Sequence, residues 1–210
     1  MKAKSQPFNA HHARYEAWFT HHKSAYHSEL LAVRAVLPWQ GRGLEIGVGT
    51  ARFASPLGIK VGVDPSLAML GYAAKRGILA IQGIGESLPF QHAVFDFVLI
   101  VATICFVSDA RQMLVEAVRV LKPGAPVVIG FVDKDSSLGR MYLDHQAENV
   151  FYRDAKFYSA SEVEKLLNDV GFSRKTWGQT LSKPLNRIQE IEPLHGGYGD
   201  GGFVVVSATR

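Results

Sequence analysis

Between Leu44 and Asp64 the chain reads as a strand, a glycine turn, a short helix and a second strand ending on a carboxylate. Leu44-Glu45-Ile46 runs into Gly47-Val48-Gly49-Thr50-Ala51, and Val61-Gly62-Val63 delivers Asp64. This order is the first half of a nucleotide-binding βαβ unit. Its glycines let a ligand approach backbone, and its acid is placed for ribose hydroxyls. The same rhythm continues: strands are expected at 43–47, 60–64, 78–82, 95–101 and 125–132, with helices near 51–56, 66–76 and 108–121. Apolar and amphipathic segments in alternation specify a parallel sheet with helices on both faces.

Two cofactor classes use such a frame, and the residues separate them. A dinucleotide turn would place glycine at the sixth position, where this chain has Arg52. A carboxylate two residues before the turn, Glu45, would repel a pyrophosphate but suits the ammonium and sulfonium of S-adenosylmethionine. The spacing favours adenosylmethionine over NAD.

The 210 residues fit one α/β domain, or a domain with a small appendage. No apolar run approaches the roughly 20 residues a membrane helix needs, and Met1-Lys2-Ala3-Lys4 is not followed by an apolar signal core. Cys105 is the single cysteine, so neither an internal disulfide nor a thiolate cluster can form. These features point to the cytoplasm. The net charge of +4 is spread out, with no more than two basic residues in a row, unlike the stripe or tail of a nucleic-acid binder.

Residues 8–37 are expected to be helical, with Pro38 as the stop, and a linking helix is expected near 137–147. In the last third, Ser161-Glu162-Val163-Glu164 suggests a capping box and Gly171 a helix C-terminus. Strands are expected near 172–179 and 202–209, with the glycine cluster 196–202 as a hairpin turn feeding the final strand.

In this order the motifs resemble those of class I S-adenosylmethionine-dependent methyltransferases of the small-molecule-type group known as type 11. Glu45-Ile46-Gly47-Val48-Gly49-Thr50-Ala51 resembles the family's first motif and Val61-Gly62-Val63-Asp64-Pro65-Ser66 its second. Gly83-Ile84-Gly85-Glu86-Ser87-Leu88-Pro89-Phe90 resembles the segment closing over adenine. Phe95-Asp96-Phe97-Val98 resembles the start of the fourth strand, and Leu121-Lys122-Pro123-Gly124 the turn before the fifth. The resemblance covers nearly the whole chain. It implies a Rossmann-like seven-stranded sheet, mostly parallel with an antiparallel last strand. It also implies a single domain 1–210: a helical lid at 1–40, a cofactor-binding half at 41–135, and a substrate-side half with a C-terminal hairpin at 136–210.

The resemblance makes S-adenosylmethionine the methyl donor, with S-adenosylhomocysteine as product. The implied cofactor site comprises Tyr15, Trp18, Glu45, Gly47, Val48, Gly49, Asp64, Pro65, Gly85, Glu86, Val101 and Ala102. Ile84 stands where family members often carry a polar residue for the adenine amine. A backbone amide at Gly85 or Glu86, or packing of Ile84 on the adenine face, is the expected substitute.

Methyl transfer from a sulfonium asks a protein to align, desolvate and sometimes deprotonate the acceptor, so no catalytic triad is required. In one helix over 11–22, His11, Tyr15, Trp18 and His22 would fall within roughly 60° of one another. Their aromatic faces could cover a sulfonium, or Trp18 and Phe19 could anchor the helix to the core. Five histidines lie within residues 11–27. No Cys or Asp accompanies them, so no metal site is expected. His21 or His22 is a candidate general base, and Asp133 either binds a substrate amine or caps the next segment. Val101, Ile104, Phe106 and Trp18 should border the methyl group, with His145, Tyr152 and Tyr158 on the substrate side and Cys105 a packed residue. The expected reaction is in-line methyl transfer to a small-molecule acceptor. The alternatives are a non-catalytic adenosylmethionine-binding module, an RNA methyltransferase or an NAD-dependent oxidoreductase.

Overall fold

Five short strands pair in parallel in the computed structural model, which describes residues 5–210; the basic Met1-Lys2-Ala3-Lys4 start lies outside the described residues. The strands are β1 (Gly43–Ile46), β2 (Val61–Asp64), β3 (Leu79–Gln82), β4 (Phe97–Val101) and β5 (Val127–Val132). Three more follow: β6 (Arg174–Thr180), β7 (His195–Gly196) and β8 (Phe203–Thr209). The sheet order is β3-β2-β1-β4-β5-β8-β6-β7, with β8 antiparallel to both β5 and β6. Eight strands stand where seven were expected, because the two-residue β7 adds an outer edge to β6.

Because side chains alternate across a strand, each strand feeds two cores. Leu44, Ile46, Val98, Ile100, Val127 and Ile129 join one cluster with α5 (Ala110–Val120) and α7 (Ala160–Asp169). Phe97, Leu99, Val101, Val128, Phe203 and Val205 join the other with α3 (Lys23–Val36) and α4 (Leu67–Lys75). Each such fully buried side chain contributes about 1.5–3 kcal/mol.

The expected single helix over 8–37 is three pieces: α1 (Gln6–Ala10), α2 (His12–His21) and α3. The breaks fall at His11 and His22, where each piece turns to a different surface. Asn9 on α1 accepts a bond from Ser66 Oγ (2.7 Å) at the start of α4. Glu16 on α2 is held by Arg52 and Arg76, each at 2.7 Å. α3 lies on the sheet against β5, β6 and β8.

The expected helix at 51–56 is a run of turns instead. Two helical bonds form, Ser55 N–H to Ala51 O and Leu57 N–H to Phe53 O, both 3.2 Å. The bond between them fails because Pro56 has no N–H, and Arg52 O accepts the Tyr26 hydroxyl at 2.5 Å instead.

Two further expectations change. The capping box sits two residues earlier, with Ser159 as cap and Glu162 as its reciprocal partner. The glycine cluster is no hairpin turn: β7 and β8 flank β6 on opposite sides, so residues 197–202 cross over its end. Gln179 Oε1 holds the crossing by accepting from Asp200 N (2.8 Å) and Gly201 N (2.7 Å). A Cβ on Gly201 would lie 2.7 Å from Thr180 O, so only glycine passes there. The linking helix near 137–147 is α6 (Ser137–Asp144) followed by a short 3₁₀ turn, Gln146–Glu148.

Candidate active site

A cavity of about 250 Å³ opens at the carboxyl ends of β1–β5. Ligands bind at this edge in open α/β sheets, where the strand ends diverge. Its floor is Gly47 and Gly49 after β1, Asp64 and Pro65 at β2, Gly85 and Glu86 after β3, and Val101 and Ala102 at β4. Helices α1 and α2 roof it with Phe8, Tyr15, Trp18 and Phe19. A far wall comes from Phe106, Tyr142, Asn149, Phe151, Tyr152 and Phe203.

The glycine turn is shaped by contact as well as by dihedral. Gly47 has φ +72°, and a Cβ there would sit 2.1 Å from Thr103 Oγ1. The Thr103 hydroxyl donates to Val101 O at 2.9 Å and so pins the loop after β4 beneath the turn. Ala102 has φ +49°, an uncommon conformation for a residue with a Cβ, fixed in part by its N–H bond to Gly130 O (2.8 Å). Tyr15 Oη lies 3.7 Å from where a Gly49 Cβ would be, so the α2 roof meets the turn directly.

Asp64 is buried, and its two oxygens accept from Gly49 N (2.9 Å) and Ser66 N (2.8 Å). Burial raises its pKa to about 6 against the pull of those two bonds. A carboxylate has about four acceptor sites, so two remain for hydroxyl donors in the cavity. Glu86 is differently occupied: its carboxylate accepts from Ser108 N (2.7 Å) and Asp109 N (3.3 Å) at the start of α5, and Ile84 lines the cavity beside it.

Some sequence-chosen residues lie outside the cavity lining. Val48 packs beneath the turn against Gly62. Glu45 points to the sheet face carrying residues 51–58. There it accepts from the Ala54 backbone, keeps Oε2 without a protein partner, and is driven well above its usual pKa by burial. His21 bonds Ala17 O at the surface, and His22 lies against Trp18 with a pKa lowered by burial and by His21. Asp133 accepts from the Asp135 N–H at 3.0 Å and holds the start of the next segment. Val101, Phe106, Trp18 and Tyr152 line the cavity; Ile104 and Tyr158 join the opposite core, and His145 bonds Met141 O at the surface. Cys105 packs with Ala155 and Phe157. Among the described residues no three His, Cys, Asp or Glu side chains gather as a metal site, and no helix is long and apolar enough to cross a membrane.

Several lining residues were missing from the expected set, a buried acid among them. Glu29 on α3 is only 8% exposed, yet it faces the cavity. Burial alone raises its pKa to about 8. A signal existed in the sequence: Ala25, Glu29, Ala32 and Val33 form an i, i+4, i+7, i+8 stripe, so a carboxylate interrupts an apolar face.

Comparison with known proteins now decides the family. Residues 44–129 match the family described as a methyltransferase domain. The chain is 44% identical over 203 residues to an uncharacterized protein of Methanocaldococcus jannaschii, covering 97% of this chain and 98% of that one. A crystal structure from Thermotoga maritima has a TM-score of 0.94 at 47% identity, over 97% of each chain. It is described as an S-adenosylmethionine-dependent methyltransferase and possible histamine N-methyltransferase. The chain belongs to the S-adenosylmethionine-dependent methyltransferases. A Lactococcus lactis demethylmenaquinone methyltransferase is 27% identical over 162 residues, covering 74% of this chain and 60% of that one.

The methyltransferase site fits a cationic cofactor on its own chemistry. Tyr15, at the glycine turn, feels the charges of Asp64, Glu45, Glu16 and Glu29, which together with burial raise its phenol above the usual range. Burial holds Glu29 and Glu45 toward their neutral forms, and a cofactor carrying positive charge on both sulfur and nitrogen would favour the ionised forms of the acids around this phenol.

Proposed function

We propose that this methyltransferase acts on a small, partly aromatic acceptor by in-line displacement. The observation that carries the reading is the single cavity joining Gly47, Gly49 and Asp64 to the aromatic wall of Phe106, Tyr142, Phe151 and Tyr152. When bound, adenosylmethionine supplies an activated methyl group and its own leaving group. On this reading the Gly47–Gly49 backbone borders the methionine portion, Asp64 takes the ribose hydroxyls, and Ile84–Glu86 flank adenine. Tyr15 and Trp18 close the roof, excluding water and offering π-faces to positive charge at about 0.5–2 kcal/mol. Glu45 lies behind the turn, outside the cavity, and packs against residues 51–58.

The reading divides the chain into a lid at 1–40, a cofactor half at 41–135 and an acceptor half at 136–210. It places the reaction in the cytoplasm, in keeping with a single cysteine and no apolar run long enough for a membrane helix. The Thermotoga protein's description adds a nitrogen acceptor as the type to try first. Calorimetry with adenosylmethionine and adenosylhomocysteine, followed by labelled methyl transfer to pooled metabolites and to total RNA, tests the reading. Label in a small molecule is expected. Label confined to RNA, with steep salt dependence, would overturn it.

A further inference from the structure

We propose that Glu29 is the acceptor-binding residue of this cavity: its carboxylate pairs with the ammonium group of a compact arylalkylamine and takes one proton from it before methylation. The proposal rests on the small-molecule methyl-transfer reading above and names the acceptor class.

Glu29 is buried yet opens on the cavity, and among the described residues no Lys, Arg or hydrogen-bond donor meets its carboxylate; burial is all that perturbs it. A buried carboxyl without a partner costs several kcal/mol as an ion, so a fold that keeps one on an open cavity leaves room for the partner to arrive with the ligand.

The surroundings select that partner. The phenols of Tyr15 from α2, Tyr26 from α3, Tyr142 from α6 and Tyr152 from the following segment all sense the Glu29 charge. From the sheet, Val132 and Phe203 present apolar side chains to the cavity. Asp64 and Glu45 act with Glu29 on Tyr15 from the cofactor side, each held toward its neutral form by burial until a cation arrives. Arg14, the cavity's cation, stands over the Phe151 ring, 5.9 Å from its centre. A buried carboxyl on a cavity walled by Phe106, Tyr142, Phe151 and Tyr152 favours a cation with an aromatic body and disfavours a carboxylate or phosphate.

The proton step balances. R–NH₃⁺ and ionised Glu29 give R–NH₂ and the neutral carboxylic acid, freeing the nitrogen lone pair. That pair forms the new N–CH₃ bond as the S–CH₃ bond breaks and its electrons stay on sulfur, moving the positive charge from sulfur to nitrogen. A carboxyl held near 8 is a far better base toward an alkylamine than one near 4.5, because proton transfer gains as the two pKa values converge.

The test uses the full chain saturated with S-adenosylhomocysteine at pH 7. Histamine, tryptamine and 2-phenylethylamine are titrated by calorimetry against 2-phenylethanol, in two buffers of different ionisation heat. At least one amine is expected to bind ten or more times tighter than the alcohol. Because Glu29 is mostly protonated at pH 7, about nine-tenths of a proton should be released on binding. Glu29→Gln should abolish both the preference and the proton release while adenosylhomocysteine still binds. Amines binding no tighter than the alcohol, or a Gln variant that keeps the preference, would overturn the proposal. Failure of adenosylhomocysteine to bind the wild-type chain would instead bring down the methyl-transfer reading, and this proposal with it.

Discussion

In the ligand-free protein, Glu29→Gln should remove a large part of the pH dependence of stability. Burial moves the Glu29 pKa from its ordinary 4.5 to about 8 in the folded chain. The folded state therefore holds the proton more tightly than the unfolded state. The stability this lends is complete below about pH 4.5, falls as pH rises toward 8, and is gone above it. At about 1.4 kcal/mol per pH unit the whole span amounts to about 5 kcal/mol, of which about 3.5 kcal/mol is lost between pH 5 and 8. Glutamine keeps the shape without the titration. Relative to wild type, the variant should gain about 3.5 kcal/mol between those two pH values. For a chain of this size that is roughly 10 °C in relative Tm. Thermal unfolding followed by circular dichroism at pH 5, 6, 7 and 8 measures it. Parallel Tm-against-pH curves for the two proteins would refute the assignment of a buried, partnerless carboxyl.

Three further outcomes follow from the same geometry. Asp64, near 6 when free, should bind ribose hydroxyls best when ionised, so adenosylhomocysteine affinity should fall about tenfold per pH unit below 6; Asp64→Asn should flatten that profile in calorimetry and weaken binding by about 1.5–3 kcal/mol per lost charged bond. At Glu16, burial favours the neutral acid, but bonds from Arg52 and Arg76 prevail and hold the pKa at about 2. This contribution is present above about pH 4.5 and is lost as pH falls through 2. Discounted for the partial exposure of the two arginines, it is about 2 kcal/mol, so Glu16→Gln should lower the neutral-pH midpoint of urea unfolding accordingly. Ser159→Ala removes the cap of α7 and should cost about 1 kcal/mol, or 2–4 °C in Tm, without altering adenosylhomocysteine binding.

The parallel half of the fold was legible because its strands carry their own signals. Val61–Asp64 is buried throughout and Phe97–Val101 is apolar on both sides, which only a sheet covered on both faces requires. The cavity's floor followed from the same stretch, since the glycines and Asp64 are neighbours in sequence before they are neighbours in space. What tertiary structure decides was harder to read. Arg52 O, left without a helical donor by Pro56, is taken by Tyr26 from another element. The glycine cluster looked like a turn because sequence does not say that β8 lies between β5 and β6. Glu29 looked like one charge among several on α3, although its place in the apolar stripe marked it. His21 and His22 were attractive for their intrinsic titration, yet α2 presents Tyr15 and Trp18 to the cavity and leaves both imidazoles outside its lining.

The insertion of β8 sets an order on biosynthesis. Val205 pairs with Gly130 of β5 on one side and Gly178 of β6 on the other, although it is translated after both. A nascent chain that has emerged only through β6 leaves the edges of β5 and β6 bare and lacks Phe203, part of the cavity's far wall. The glycine turn and Asp64 can already be in place at that stage, so this side of the cavity can form on the ribosome before its far wall does.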